Sequence, residues 1–591
     1  MRYSHAVASR DCGEVRAQSI GAVPCGAYRC GGILRKFGAG TWNMRQFRNV
    51  SPLEKNTNTP ICNQIIVELA IKEWESGNGC WESVTRDFPF PNSQFFAVTF
   101  CFPHGAFFGI IPPDFSAGAT PCCLDHFQEA VNMSTSRRKF LKSAAAGGLF
   151  FIPAIRLFGQ ELPKLSKQMR FAGIGVGGMG TPTCNDIINA GGTIVALCDV
   201  DPGHLQGYAN SHPGIPCYTD WRKLFQEKSS EFDAVAISTP DHTHAIIALE
   251  AMMRGKHVYV QKPLARTFEE CQLLFDMQKK TGVVTQMGNQ GHPGVFRYDE
   301  LLKEKFWGDI VKLEAWSDRP VWPQGMASYP APQQPPPGLD WDVWCGPSPD
   351  HGFSTAYHAF RWRGWWDYGC GAIGDMAVHN ADPAFWSFKL GLPVEVKAKC
   401  PDPAGIAFPT WSEIELKFGP TPVLPKGVTL TWYDGKHKPK VPEGCNPNFK
   451  CGDNGLLVHG SKAVTVGGSH ANSPIVCSHG GHPFNDETRD AQRKAREIVR
   501  RAKLPSHYRE FVEAARDGRA EAPHSRLSYA APFTQALLLG CIALRYPGET
   551  LKFNPETKLF TNKPEANAFL RLRERANWSL AKYRDAVGAR R

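Results

Sequence analysis

The chain has 591 residues, of which 42% are hydrophobic and 21% are charged. This composition is that of a globular protein, and the length allows two or more domains that each bury their own core. The formal net charge of +11 does not indicate a nucleic-acid-binding protein, because the basic residues are scattered along the chain.

The 19 cysteines divide unevenly, since eight precede Met133 and eleven follow it. No Cys-x-x-Cys pair occurs in the later region, so the sequence does not predict a structural zinc site there. We expect free, mostly buried thiols. One disulfide among Cys445, Cys451 and Cys477 is the alternative in an oxidising compartment.

An export signal is indicated within the first third of the chain. Residues 136–142 read Ser-Arg-Arg-Lys-Phe-Leu-Lys and precede an apolar run from Ala144 to Ile155. This pattern resembles a twin-arginine (Tat) signal, and the run is shorter than the roughly 20 residues that a membrane-spanning helix needs. A short buried helix is the alternative. The resemblance implies an exported, periplasmic protein that uses the Tat machinery, or one tethered to the membrane by an uncleaved signal.

The position of this signal suggests where the natural protein begins. Because such a signal acts at the N-terminus, Met133 is the expected start, and residues 133–165 are the expected signal segment and linker. Residues 1–132 are then a non-native or disordered extension, such as an over-extended gene start. A small extra domain is the alternative.

Residues 166–292 alternate apolar strands with helices, which predicts a doubly wound parallel sheet of the Rossmann type. The first strand leads into a turn with the spacing Gly-x-Gly-x-x-Gly, followed by a helix. In this setting the glycines let the backbone approach a pyrophosphate at the helix N-terminus. The predicted cofactor contacts of the turn are Gly175, Gly177, Gly178, Met179 and Gly180.

The second predicted strand, from Thr193 to Cys198, ends at Asp199. A carboxylate at this place accepts hydrogen bonds from the adenosine ribose and repels a 2′-phosphate. The sequence therefore predicts NAD as the cofactor in preference to NADP.

Ligands of a parallel sheet bind at the carboxyl ends of its strands. Two helices between these strands have clear start signals, which are Asp220 as a predicted N-cap and a capping box of Thr267 and Glu270. The later strands end close to several polar side chains. The residues that we expect beside the cofactor at these strand ends are Thr239, Pro240, His244, Gln261, Lys262 and Asn289.

Beyond residue 293 the alternation stops. Strands of alternating polarity predict an α+β domain with a large, mainly antiparallel sheet over residues 293–550, followed by a C-terminal tail at 551–591.

An aromatic stretch in this domain suits a polyhydroxylated ligand, because rings stack on sugar C–H faces while charged groups hold hydroxyls. Its predicted substrate contacts are Arg363, Trp365 and Trp366, with core packing as the alternative for each tryptophan.

Asp375, His379 and Asp382 follow one another at spacings of four and three residues. On a regular helix these three side chains share one face. Such a set is suited to proton transfer, and one histidine with two carboxylates is also a possible metal ligand set.

Together these motifs resemble the glucose-fructose oxidoreductase-like (Gfo/Idh/MocA) family over about residues 169–550. The shared features are Gln261-Lys262-Pro263, where the family has Glu-Lys-Pro, the strand-end stretch 238–244, and a glycine-rich stretch followed by Asp375-x-x-x-His379-x-x-Asp382. The resemblance implies a site without metal, with His379 as general acid/base, Asp375 orienting the substrate or tuning the pair, and Asp382 at the substrate. Lys262 would assist by charge and hydrogen bonding, with Lys262 as the alternative proton carrier. The resemblance also implies a homo-oligomer.

By this resemblance the function is hydride transfer between NAD(H) and a hydroxyl carbon of a sugar, cyclitol or derivative. One alternative is a redox-neutral NAD-dependent glycosidase that oxidises, eliminates and reduces again. A second alternative is a non-enzymatic carbohydrate-binding protein.

Overall fold

The computed structural model describes residues 96–102, 105–111, 168–401, 405–446, 448–480 and 484–588. The chain divides into two compact units, Met1–Ile152 and Pro153–Arg591. In the first unit, β1 (Phe96–Phe102) and β2 (Gly105–Ile111) pair as an antiparallel hairpin that the sequence analysis did not predict. The predicted export signal lies outside the described residues.

The second unit begins with alternating strands and helices. The strands are β3 (Met169–Ile174), β4 (Gly192–Cys198), β5 (Cys217–Tyr218), β6 (Ala234–Ile237), β7 (His257–Gln261) and β8 (Thr285–Gly288). The helices are α1 (Gly180–Asn189), α2 (Pro202–Ala209), α3 (Trp221–Lys228), α4 (Asp241–Met253) and α5 (Phe268–Thr281). Within the described residues the six strands form one parallel sheet in the order β5-β4-β3-β6-β7-β8, which confirms the predicted doubly wound sheet.

Local start signals explain where two of these helices begin. The Asp220 side chain accepts a hydrogen bond from the Arg222 amide at the start of α3. At the start of α5, Thr267 and Glu270 form the predicted reciprocal capping box. Helix α4 lacks a polar face, because nearly all of its side chains are buried between the sheet and the rest of the unit.

A second sheet follows. Its strands are β9 (Ile310–Ser317), β10 (Glu395–Lys399), β11 (Ser412–Phe418), β12 (Val428–Asp434), β13 (Asn454–Gly460), β14 (Ala463–Gly467), β15 (Ile475–His479), β16 (Thr550–Asn554) and β17 (Leu559–Phe560). In the described part of the chain these nine strands are ordered β15-β14-β13-β9-β12-β11-β10-β16-β17. Every pair is antiparallel except β9 with β12, so the predicted mainly antiparallel sheet is confirmed.

The remaining helices are α6 (Phe296–Lys303), α7 (Trp341–Cys345), α8 (Val378–Asn380), α9 (Asp382–Ser387), α10 (Asp486–Val499), α11 (His507–Asp517), α12 (Leu527–Ala543) and α13 (Ala581–Val587). Two of them return to the first sheet. Phe511 on α11 packs against Phe171 on β3, with 6.1 Å between the ring centroids. On α13, Lys582 Nζ and Tyr583 Oη donate to Glu250 Oε2 on α4 at 2.7 and 2.8 Å.

The predicted boundary between a second domain ending at 550 and a separate tail at 551–591 falls inside a strand. β16 pairs with β10 in the second sheet, so the chain does not leave the domain at that point. The missed signal is short, since Leu551 and Phe553 are the only buried members of this strand.

All eleven cysteines beyond Met133 are described, and each is a free thiol. Cys445 and Cys477 nevertheless lie close enough for their thiols to interact. Among the helices that the structure describes, none is both long and apolar enough to cross a membrane.

The capping box gives a test of the first domain's stability. Thr267→Ala removes the oxygen that accepts from the Glu270 amide at 3.3 Å, and it should lower the free energy of unfolding by about 1 kcal/mol. Thr267→Ser keeps this acceptor and is the matched control. Chemical denaturation of both variants checks the effect, and an equal loss in the two would contradict a capping role.

Candidate active site

A cavity of about 300 Å³ lies at the carboxyl ends of β3, β4, β6 and β7, where the sequence predicted cofactor binding. Of the predicted cofactor contacts, those that line this cavity are Gly175, Gly177, Gly178, Met179, Asp199, Thr239, Pro240, Gln261 and Lys262. Gly180, His244 and Asn289 do not line it.

Two glycines of the turn are required by close backbone approaches. Gly175 has a φ of +78°, and a Cβ there would lie 2.7 Å from the backbone of Ser238 on the adjacent strand end. A Cβ at Gly180 would collide with the Gly175 carbonyl oxygen, which explains the third glycine without any cavity contact. Gly178, by contrast, has open space where a side chain would be.

The Asp199 carboxylate holds the turn from the end of β4. Its Oδ2 accepts from the amides of Val176 and Gly177 at 2.9 and 3.2 Å, and its Oδ1 accepts from the Asp201 amide at 3.0 Å. His204 Nδ1 lies 3.5 Å from the same carboxylate, and this interaction raises the pKa of His204. Asp199 therefore positions the glycine turn as well as bordering the cavity.

Two buried hydroxyl groups in the cavity have no hydrogen-bond partner among the residues that the structure describes. The hydroxyls of Ser238 and Thr239 are buried, and neither makes a hydrogen bond within the described residues, although both residues line the cavity. Buried hydroxyls are almost always hydrogen-bonded. Their presence beside the glycine turn fits a polar dinucleotide as the occupant.

Two predicted cofactor residues position the site instead of lining the cavity. The ring nitrogens of His244 lie 2.8 Å from the Thr239 carbonyl oxygen and 2.9 Å from that of Pro263, so His244 joins two strand ends. Asn289 is fully buried and donates to Asp382 Oδ2 at 3.1 Å.

Gln261, which stands where the resembled family has glutamate, lines the cavity and also donates to Thr183 Oγ1 on α1 at 2.9 Å. A neutral amide is suited to this donation, because a glutamate carboxylate at the same place could only accept.

Lys262 and Asp375 meet across the two domains. Lys262 Nζ donates to Asp375 Oδ1 at 2.7 Å and to the Asp375 carbonyl oxygen at 3.1 Å, and Arg363 Nε lies 3.6 Å from Oδ1. Burial alone would raise the pKa of the Asp375 carboxyl. The charges of Lys262 and Arg363 outweigh that effect and hold the pKa below its ordinary value, so the carboxylate is ionised.

His379 lies near Lys262 and, unlike the charged Lys262 and Asp375, is neutral. It is 4% exposed, and its ring stacks on His470 with 4.0 Å between centroids. Burial lowers the pKa of His379 well below 6.5, and the nearby charges of Lys262, His470 and His507 act in the same direction. The imidazole is therefore neutral at pH 7, and its Nδ1 has no hydrogen-bond partner among the described residues.

The prediction that Asp382 shares a helix face with Asp375 and His379 is wrong. Residues Ile373–Ala377 form a π-helical turn, and the short helix α8 ends before a new helix begins at Asp382-Pro383. A π turn changes the angular spacing of side chains, and proline starts a helix more readily than it continues one. Asp382 instead binds His292 Nδ1 at 2.9 Å and Tyr529 in a buried cluster.

The aromatic stretch is only partly in the cavity. Arg363 lines it, as predicted for a substrate contact, but neither Trp365 nor Trp366 does. Trp365 is 2% exposed and donates from Nε1 to the Ala356 carbonyl oxygen, which matches the core-packing alternative. Trp366 packs against Phe408 at 3.7 Å between centroids.

Several residues at this site are not among the predicted contacts. His358, Phe360, Trp362 and Trp344 line the cavity from the second domain, and His470 covers His379 from the turn after β14. Trp362 belongs to the aromatic stretch, and Trp344 belongs to a stretch rich in proline and tryptophan (residues 320–349) whose composition predicts a loop lining a cleft. His358, Phe360 and His470 carry no spacing or motif that marks them.

Comparison with known proteins agrees with this geometry. Residues 169–289 match the family described as "Oxidoreductase family, NAD-binding Rossmann fold", and residues 315–424 match its "C-terminal alpha/beta domain". The two family models describe the NAD-binding and C-terminal domains of Gfo/Idh/MocA oxidoreductases, and these two segments of the chain are similar to them. The first match confirms NAD as the cofactor class of the dinucleotide cavity.

Several relatives can be named. A glycosyl hydrolase family 109 protein from Shewanella pealeana is 31% identical over 213 residues, which are 31% of this chain and 46% of that protein. A levoglucosan dehydrogenase from Pseudarthrobacter phenanthrenivorans is 33% identical over 109 residues, covering 17% of this chain and 27% of that one. The chain thus spans less than half the length of these curated relatives.

A solved structure, the WlbA dehydrogenase from Bordetella pertussis in complex with NADH and UDP-GlcNAcA, aligns with a TM-score of 0.46 at 17% identity. The alignment covers 66% of this chain and 99% of that one.

Asp199→Asn tests the cofactor preference. Loss of the negative charge should weaken NADH binding about tenfold, while NADPH binding weakens less because the 2′-phosphate is no longer repelled. Fluorescence titration with both cofactors measures the ratio. Asp490→Asn on the exposed face of α10 is the control, and an unchanged ratio in Asp199→Asn would show that Asp199 only braces the turn.

Proposed function

We propose that this protein is an NAD(H)-dependent oxidoreductase that transfers hydride between the nicotinamide and a hydroxyl-bearing carbon of a sugar, cyclitol or derivative. One observation carries the proposal. At the edge of an NAD-binding cavity, a lysine-aspartate pair joined at 2.7 Å lies near a buried neutral histidine.

The neutral imidazole of His379 is suited to accept a proton. Oxidation of an alcohol requires that the hydroxyl proton leave as the carbon gives up hydride, and NAD when bound accepts that hydride. An imidazole already protonated at neutral pH could not act as this base. The lowered pKa of His379 therefore keeps it in the active form.

Lys262 complements this base. Its ammonium group is fixed by two oxygen acceptors on Asp375, and it retains a third N–H donor for the substrate oxygen. A positive charge there stabilises the oxygen as its proton leaves, because opposite charge favours the ionised form. Asp375 thus holds Lys262 in place. The positive charges of Arg363 and Lys262 together balance the negative charge of the Asp375 carboxylate.

The substrate class follows from the relatives and from the second-domain wall of the cavity. The matched dehydrogenases are named for levoglucosan and inositol, which are polyhydroxylated ring compounds. In this chain, the Arg363 guanidinium lies 4.1 Å from the Trp362 ring, and both line the cavity. A charged donor beside an aromatic face suits a ring that carries several hydroxyls.

The proposal predicts reduction of NAD by a member of a panel of free sugars and cyclitols. With such a substrate, His379→Gln and Lys262→Gln should each lower kcat/KM by about 100- to 10,000-fold, because each removes a proton-transfer or charge-stabilising group. Absorbance of reduced nicotinamide measures the rate. His212→Gln, outside the cavity, is the control.

NADH titration of the same variants separates catalysis from cofactor binding. Retained NADH affinity with lost turnover supports the assigned roles. Full activity in His379→Gln would contradict the base assignment, and NADH binding without any turnover across the panel would favour a carbohydrate-binding protein.

The second candidate is a redox-neutral glycosidase that uses NAD transiently. It is favoured by the name of the Shewanella pealeana relative, a glycosyl hydrolase family 109 protein. The same three side chains serve both reactions, since each begins with oxidation of a sugar hydroxyl. Release of the aryl group from aryl glycosides with no net change in nicotinamide absorbance would identify this candidate.

The protonation state of His379 predicts the pH dependence of either reaction. A base with a lowered pKa stays neutral as the pH falls, so the acid limb of kcat/KM should lie below pH 6.5. His470→Gln removes the ring that covers His379 and the electrostatic effect of that ring on the imidazolium form, and both changes raise the pKa of His379. The limb should therefore move to higher pH in this variant.

Profiles of kcat/KM from about pH 5 to about pH 9 check this prediction. A wild-type limb at or above pH 6.5, or a downward move in His470→Gln, would contradict it.

A further inference from the structure

A second cavity of about 420 Å³ lies apart from the NAD cavity, and the two share no lining residue. Its walls come from the loop before α5, the end of the aromatic stretch from Trp366 to Cys370, the end of α12 and the chain after β17. This volume is in the range of small-molecule pockets. Neither the matched family domains nor the proposed reaction accounts for it.

The lining of this second cavity is strongly cationic. It contains four arginines, Arg266, Arg545, Arg571 and Arg573, but among its described lining residues the one carboxylate is Asp367. That carboxylate is already engaged, because Asp367 Oδ2 accepts from His351 Nε2 at 2.9 Å and from Tyr329 Oη at 3.0 Å. At the rim, Arg571 lies 3.5 Å from Glu269, which also binds Arg584.

The two inner arginines are held in place by groups other than anions. The Arg545 guanidinium lies 4.2 Å from both the Trp366 and Phe569 rings, which fixes its plane. Arg266 donates from Nη1 to the Trp366 carbonyl oxygen at 2.8 Å. Within the described ranges neither inner arginine forms an ion pair with a carboxylate.

Burial makes this arrangement costly without a ligand. Burial and the charge of Arg266 lower the pKa of Arg545 to about 10, although the Asp367 carboxylate acts in the opposite direction, and the guanidinium is still charged at neutral pH. Two buried donors beside the cavity, Arg266 Nε and Trp366 Nε1, have no hydrogen-bond partner in the described part of the chain. Buried charges and donors are normally paired, so these groups are suited to bind an acceptor on a ligand.

We propose that this cavity binds a small organic anion through an oxyanion group, either a phosphate ester or a carboxylate. Guanidinium groups match both oxyanions in geometry, and the cavity has room for the organic part that carries them. The proposal does not depend on hydride transfer at His379, because no residue of this cavity belongs to the NAD site.

Calorimetric titration of the NAD-saturated protein tests the site. The probes are inorganic phosphate, glucose 6-phosphate, glucuronate and neutral glucose, at constant ionic strength in a zwitterionic buffer. We expect the anionic sugars to bind about tenfold or more tightly than glucose. Tighter binding of glucose 6-phosphate identifies a phosphate ester, and tighter binding of glucuronate identifies a carboxylate.

Two variants locate the binding. The double variant Arg571→Gln/Arg573→Gln changes exposed rim residues and should fold normally, whereas Arg545→Gln removes an inner guanidinium. Each should weaken the anion about tenfold or more. The matched control is Arg489→Gln/Arg493→Gln, which removes the same charge from the exposed face of α10.

The outcomes are distinct from those for the proposed oxidoreductase. Loss of anion binding in the rim variant but not in the control supports the site. Absence of anion binding to the wild-type protein would overturn it, as would binding that both cavity variants leave unchanged.

Discussion

The ion pair between Lys262 and Asp375 is the interaction on which the candidate active site depends. Lys262 follows β7 of the first sheet, whereas Asp375 belongs to the π-helical turn of the second domain. Neither side chain could be held in the low-dielectric cleft alone, because an unpaired buried charge is strongly unfavourable. The candidate catalytic set therefore exists only when both domains are folded against each other, and docking of the domains and assembly of the candidate site are one event.

This pair also affects its neighbour. Burial lowers the pKa of His379 and the fixed positive charge of Lys262 acts in the same direction, so the same cleft holds a charged lysine and an uncharged histidine at neutral pH. Proton transfer needs a neutral base that can accept a proton and, beside it, a charged group that stabilises the developing negative charge. Stacking of His470 on His379 adds to the effect by excluding water. The buried cluster around Asp382 lies behind this arrangement and ties β8 to α9 and α12.

The predicted site residues that line the cavity are those whose position follows from local rules. The glycine turn, Asp199 and Lys262 each come directly after a strand of a parallel sheet, so topology alone brings them to one edge. Asp382 was misplaced because the regular helical spacing assumed for it is interrupted by a π turn and by Pro383. Trp365 could not be assigned to core or cleft from composition. His358 and His470 reach the site through tertiary packing, which leaves no periodic signal in the chain.

The return of α11 and α13 to the first sheet has a consequence for how this protein can be divided. Phe511 and its neighbours supply part of the core beneath β3, and Tyr583 anchors the C-terminal helix to α4. The dinucleotide domain is thus discontinuous in sequence, and a ribosome must complete the chain before that domain can bury its full core. A chimera in which a relative's segment replaced only residues 169–289 would combine the relative's parallel sheet with this chain's α11 and α13, which are not shaped to pack on that sheet. Successful domain exchange would need to carry α11 and α13 as well.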